Sequence, residues 1–239
     1  MDESSYRLSL RRPVAFALGG VVVSLALASH ADALTWFGKS ELAGTASVID
    51  GDTIDIDGKR VRLEGIDAPE TAQVCRRANG GEWSCGRAAA DALAQLVGTR
   101  RVTCRDEGTD KYDRVLGVCS VEGVEINAEL VRRGYAWAFV KYSERYVKQE
   151  AEAKAAAAGI WQGEAEPAWI YRQNRWKVAE GDAPQGCAIK GNITENGQIY
   201  HMPWSPWYGR VKVDPERGER WFCSEAEAQN AGWRSAGLR

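Results

Sequence analysis

Histidine is almost missing from this chain: of 239 residues, only His30 and His201 are histidine. A hydrolytic mechanism built on an imidazole base therefore has little to work with. No C-x-x-C pair occurs, which removes the usual thiol framework of a structural zinc site. Basic charge is not in excess, with 31 Lys and Arg against 33 Asp and Glu and a net charge of -2. No overall basic field draws in nucleic acid. No apolar run reaches the roughly 20 residues of a membrane span; the run from Pro13 to Ala28 is interrupted by Gly19, Gly20 and Ser24. No internal repeat is present.

The N-terminus nevertheless has a recognisable plan. Arg7, Arg11 and Arg12 precede the apolar run, and Ala31-Asp32-Ala33 fits the small-x-small cleavage rule. This predicts a cleaved signal peptide over residues 1–33, with an uncleaved anchor as the alternative, and hence a secreted or periplasmic protein. No cysteine lies near the end of the run, so a lipid anchor is not expected. All six cysteines follow it, and an even count in an exported chain reads as disulfides. Cys75 and Cys85 flank one Gly-rich loop, Cys104 and Cys119 sit in two short apolar runs joined by a polar turn, and Cys187 and Cys223 fall in the last quarter. The expected pairs are 75–85, 104–119 and 187–223. The rival is a zinc site of Cys187, Cys223 and His201, which leaves a tetrahedral site one ligand short.

Strand signals open the first globular stretch, residues 34–165. Thr45–Ile49 and Thr53–Ile56 are β-rich, Asp57-Gly58 is a hairpin dipeptide, and Arg60–Gly65 alternates apolar with charged. After a loop, Gly86–Val97 reads as a helix, Arg101–Arg105 and Val115–Ser120 as strands, and Asn127–Arg133 as a helix. Ser143–Ala158 reads as a long Ala-rich helix capped by Ser143 and stopped by Gly159. Three strands, a helix and two strands predict an α+β chain built on a five-stranded, partly open OB-type barrel. Residues 166–186 are expected to hold a helix (Pro167–Lys177, with Trp169 and Trp176 on one side) and a linker at Glu180–Gly186. Residues 187–239 form a small disulfide-stapled module whose aromatics are expected to build its core.

The chemistry concentrates in VIDGDTIDIDGKRVRLEGIDAPE, residues 48 to 70. Asp52 and Asp67 follow strands, and the reversal at Asp57-Gly58 can bring them together as oxygen ligands of a hard divalent cation. Glu70, just beyond Pro69, is placed to orient or deprotonate water. Arg62 lies on the polar face of its strand and suits a phosphate. A second cluster, TDKYDR at 109–114, offers Arg114 as another guanidinium and Lys111 and Tyr112 as contacts for a neighbouring phosphate or ribose. Together these residues point to metal-assisted cleavage of a phosphodiester.

VIDGDT, VRLEGIDAPE, DKYDR, LVRRGYAWA and GIW, in this order, resemble the staphylococcal nuclease (thermonuclease) family over residues 45–161. That resemblance implies an OB barrel and calcium-dependent hydrolysis of DNA or RNA, leaving 3′-phosphates. It assigns calcium to Asp52, Asp67 and the carbonyl of Ala68, the attacking water to Glu70, the phosphoryl oxygens to Arg62 and Arg114, and a nucleotide phosphate to Lys111 and Tyr112. A monomer is expected. The sequence departs from the pattern at Asp113, where the family often has glycine. The tail resembles a sunset-type module of exported nuclease-like proteins. The competing reading is a non-catalytic barrel that holds nucleic acid or an envelope polymer.

Overall fold

Five strands close on themselves around an aliphatic core in the computed structural model, which describes residues 40–236. The expected signal segment, residues 1–33, lies outside the described residues. The strands are β1 (Glu41–Val48), β2 (Thr53–Ile56), β3 (Lys59–Leu63), β4 (Arg101–Thr109) and β5 (Val115–Val121). Their order is β3-β2-β1-β4-β5, and a parallel β3–β5 pairing from Val61↔Val115 to Leu63↔Gly117 completes the ring. The barrel is therefore closed rather than partly open. Inward-facing Ile54, Ile56, Val61, Leu63 and Val102 fill it, as period-two alternation requires. Asp57 and Gly58 both adopt positive φ, 52° and 82°, the geometry of a two-residue hairpin whose twist matches its strands.

Helix α1 (Cys85–Val97) and helix α2 (Ile126–Arg132) pack on this barrel. All three expected disulfides form, so Cys187 and Cys223 are not zinc ligands. Cys104 faces Cys119 across the β4–β5 ladder, and Cys75–Cys85 ties the loop that follows Glu70 to the first turn of α1.

The Ala-rich helix is shorter than its composition predicts. Helix α3 spans Val147–Ala155, and Ser143 Oγ accepts from the Arg145 amide in a turn instead of capping it. Tyr146 explains the late start: it is 1% exposed within the barrel core, and a continuous helix from Ser143 would have to hold it differently.

Helix α4 (Ala168–Asp182) runs through the first three residues of the expected linker. Two tryptophans anchor it at different ends. Trp169 packs edge-on to Trp137 and stacks on Phe139, beside the barrel. Trp176 packs against Trp204 and the core of the tail. The tail itself is a four-stranded sheet of β6 (Ile189–Thr194), β7 (Gly197–His201), β8 (Arg220–Phe222) and β9 (Arg234–Ser235). Helix α5 (Glu225–Asn230), capped by Ser224, lies against it. Ile189, Tyr200, Phe222, Ala228 and Trp233 form its core. Barrel and tail belong to one compact unit.

Helix α1 also fixes the loop that carries Glu70. Gln73, 1% exposed, binds the Glu70 amide through Oε1 and the Glu166 carbonyl through Nε2. The start of α1 approaches so closely that a Cβ on Gly86 would fall 1.7 Å from the Glu70 carbonyl oxygen. Gly86→Ala is accordingly expected to lower stability by about 1–3 kcal/mol in denaturant unfolding.

Candidate active site

The hairpin β2–β3 sets Thr53 opposite Arg62 and brings the Leu63 amide to the Asp52 carbonyl at 2.8 Å. Asp52, at the sharp turn after β1, is thereby placed beside the chain that leaves β3. Its Oδ1 accepts from Arg62 Nη1 at 2.5 Å and its Oδ2 from the Ala68 amide at 2.9 Å. A two-residue strand, Ile66–Asp67, pairs with Trp137–Ala138 and holds Asp67 fully buried. Arg62 Nη2 donates to Asp67 Oδ1 at 2.8 Å. One guanidinium therefore bridges both aspartates.

A residue that the motif reading did not single out completes the cluster. Arg172, on α4, donates to Asp67 Oδ1 and Oδ2 at 3.1 and 2.8 Å and to Glu70 Oε1 at 2.7 Å. The spacing Trp169, Arg172, Trp176 follows one helical face. That periodicity was the available signal, since the two tryptophans fix which way the face turns. Asp50, in the turn between β1 and β2, also belongs to the cluster. Its carboxylate accepts from the Asp52 amide at 3.1 Å.

Burial and crowding divide the titrations of these acids. Burial disfavours the Asp52 carboxylate, but Arg62 and the Ala68 amide outweigh it and hold its pKa below the ordinary value. Burial, reinforced by the Asp52 charge, pushes Asp50 up to about 6. Burial also pushes Glu70 up to about 8, against the pull of Arg172. For Arg62, burial works against the charged form, and Asp52 and Asp67 more than compensate.

Arg114 and Tyr112 line a cleft of about 520 Å³ together with Asp50. The Arg114 guanidinium is held by Asp110, with Nε at 2.7 Å and Nη2 at 2.6 Å from Oδ2. It does not touch Asp52, Asp67 or Glu70, although its charge helps to lower the Asp52 pKa. Lys111 is exposed and lies over the Tyr112 ring, 4.8 Å from its centroid. Asp113 has φ +57°, the left-handed region that favours glycine and that aspartate tolerates better than most residues. The far wall comes from the tail: Glu225, Gln229 and Ser235 line this cleft. Met202 and Trp204 line a smaller cavity that reaches Glu70.

The donor chemistry is all oxygen, which suits a hard cation. Three acids (Asp52, Asp67, Glu70) are touched by two arginines, and a fourth, Asp50, accepts from the Asp52 amide beside them. Among the described residues no three acidic, histidine or cysteine side chains converge in ligating geometry, and both Asp67 oxygens are engaged by guanidinium groups. As arranged here, Arg62 and Arg172 occupy the places on Asp52 and Asp67 that a cation would take.

A family model for staphylococcal nuclease homologues matches residues 60–163, and a second, ArfC, matches residues 175–235. Arg172 lies between the two matched segments. The succinoglycan biosynthesis protein ExoI of Rhizobium meliloti (strain 1021) is 37% identical over 161 residues, 66% of this chain and 82% of that protein. An uncharacterized endonuclease of Escherichia coli is 35% identical over 136 residues, 54% of this chain and 82% of the relative. The probable staphylococcal-like nuclease CAN3 of Oryza sativa subsp. japonica is 32% identical over 129 residues, 53% of this chain and 31% of that protein. With its closed barrel carrying the motif residues and most of the length of two of these relatives matched, the chain belongs to the staphylococcal nuclease homologue family.

Proposed function

We propose that this chain is an exported, calcium-dependent nuclease that hydrolyses phosphodiester bonds of DNA or RNA and leaves 3′-phosphates. The observation that carries the reading is the convergence of Asp52, Arg62, Asp67 and Glu70 beside the cleft that Arg114 lines. Family membership supports nuclease activity. Three disulfides support an oxidising compartment, and no described helix is long and apolar enough to cross a membrane.

Each residue has a physical task in this chemistry. Asp52, Asp67 and the Ala68 carbonyl would hold calcium, which when bound neutralises charge on the phosphoryl oxygens and makes water more acidic. Glu70 accepts the proton of the attacking water, and a carboxyl with its pKa raised toward 8 is a stronger base than an ordinary one. The water oxygen bonds to phosphorus and the bond to the 5′ oxygen breaks; that oxygen takes its proton from solvent water, and Glu70 returns the proton it accepted to solvent. Arg62, already locked by two carboxylates, offers its remaining N–H groups to the phosphoryl oxygens without reorganising. Arg114 serves the same charge from the other side of the cleft. Lys111 and Tyr112 act on a neighbouring phosphate or ribose.

Glu70→Gln is expected to cut kcat on DNA by roughly 10²–10⁴ while leaving the unfolding midpoint near that of the wild type. A chelator is expected to abolish wild-type turnover. Wild-type protein that is inert on both DNA and RNA across divalent metals and pH would sink the reading. Arg172 competes for the same carboxylates as the cation. A unit charge about 4 Å away is worth up to about 4 kcal/mol in a partly buried setting. Arg172→Ala is expected to tighten calcium binding about tenfold by titration calorimetry, roughly 1.4 kcal/mol and well inside that limit; unchanged or weaker binding would count against the competition.

A further inference from the structure

The largest cavity described on this acidic chain is a basic one. About 940 Å³ in volume, it lies between the barrel, which contributes Ile49 and Arg60, and the tail, which contributes Arg210, Lys212, Arg217 and Arg234. Its two acids are already engaged. Glu219 accepts from the Ile193 and Asp214 amides at 3.0 Å each, and Asp214 caps the short turn at Pro215–Arg217. Arg217 and Arg234 bind backbone carbonyls of the β6–β7 hairpin. Arg60, Arg210 and Lys212 make no ion pair or side-chain hydrogen bond among the described residues. Unpaired cations gathered around a cavity attract a polyanion.

His201 adds a second, independent feature. It lines the same cavity, is 7% exposed, and its Nδ1 is buried without a partner. Its Nε2 lies 2.9 Å from Asn192 Oδ1. An amide oxygen can only accept, so Nε2 carries the proton and Nδ1 presents a lone pair. Burial and the nearby Lys190 lower the His201 pKa to about 4, which keeps the ring neutral. A buried acceptor left unmatched costs free energy, and with no exposed surface of its own Nδ1 meets a ligand only if a neighbouring group moves. Trp207 supplies a flat aromatic face at the cavity wall.

The cavity is continuous with the catalytic cleft. Ile49, Arg60 and Ser235 line both it and the cleft that holds Asp50 and Arg114. Ile49, Trp207, Ser235 and Ala236 also line the smaller cavity that reaches Glu70. We propose that the C-terminal module carries a second polynucleotide site, where Arg60, Arg210 and Lys212 hold backbone phosphates of the strand being cut. This deepens the nuclease reading and rests on it. A nucleotide strand combines the features that the cavity asks for: regularly spaced anions and stackable bases. Continuity with the cleft favours it over an acidic polysaccharide.

The test uses the mature chain in chelator, where cleavage is stopped, and a fluorescent single-stranded oligonucleotide long enough to occupy both cavities. Arg210→Gln/Lys212→Gln changes two exposed side chains. It is expected to weaken binding about tenfold at physiological salt and to flatten the plot of log K against log salt by about 1.4, since each single-strand phosphate contact contributes roughly 0.7. With calcium restored, hydrolysis of a dinucleotide, which fills only the cleft beside Arg114 and stops short of Arg210 and Lys212, is expected to stay at the wild-type rate. Unchanged affinity and salt slope in the double variant overturn the site, as does wild-type protein that binds an acidic polysaccharide and not the oligonucleotide. Oligonucleotide binding with the expected loss in the double variant, but no turnover in wild type, would keep the site and reject the nuclease reading instead.

Discussion

The Arg62 guanidinium is the joint on which the site depends. Its two ends hold Asp52 and Asp67, carboxylates that are 6% and 0% exposed in their side chains. Removing one member of such a buried set typically costs about 3–5 kcal/mol, because a charge is left without water or partner. Three pieces of chain meet through it: the turn after β1, the strand that Arg62 itself occupies, and the short strand at Ile66–Asp67. The position of Arg62 follows in turn from the hairpin register, which sets it opposite Thr53. A one-residue slip would send it to the other face of the sheet and leave Asp52 uncompensated and Asp67 with Arg172 alone. The same argument explains Arg172. Acids this buried and this numerous favour any cation that can reach them, and α4 delivers one.

That helix also changes what the tail is. Trp169 packs on the barrel side and Trp176 on the tail side, so one helix carries both contacts. Arg172 sits between them on the same face and joins the acid cluster. The tail contributes the far wall of the cleft as well. Geometry thus couples the small module to the chemistry, although the two match separate family models.

Local rules made part of this legible in the sequence. Asp57-Gly58 announces the hairpin because positive φ is cheap there, and the hairpin predicts that Asp52 and Asp67 approach each other. The cysteine pairs follow from their placement in facing runs and around one loop. What stayed hidden depends on distant packing. Asn127 reads as an ordinary helix residue, yet it is fully buried and ties the Glu64 and Gly117 carbonyls to the Cys119 amide. Ser143 has the chemistry of a cap, but the burial of Tyr146 moves the helix start. Arg172 lies outside the motif in the chain and reaches it only because two tryptophans orient α4. Side-chain partners across more than a hundred residues are not encoded in any local pattern.

The net charge of -2 argued at first against a ready grip on a polyanion. Screening weakens that argument, because at physiological ionic strength exposed charges act over about 8 Å. What a strand meets is the set of charges within that range along its path. Most acids near the site are committed: Asp52 and Asp67 to Arg62, Asp110 to Arg114, Glu219 and Asp214 to backbone amides. Even Asp113, the added negative charge beside Arg114, occupies a backbone conformation that few other side chains tolerate. Arg60, Arg210 and Lys212 are left uncommitted at the cavity that continues from the cleft. An acidic chain can therefore hold a polyanion if it lacks long-range attraction but keeps unpaired cations where the polymer must lie.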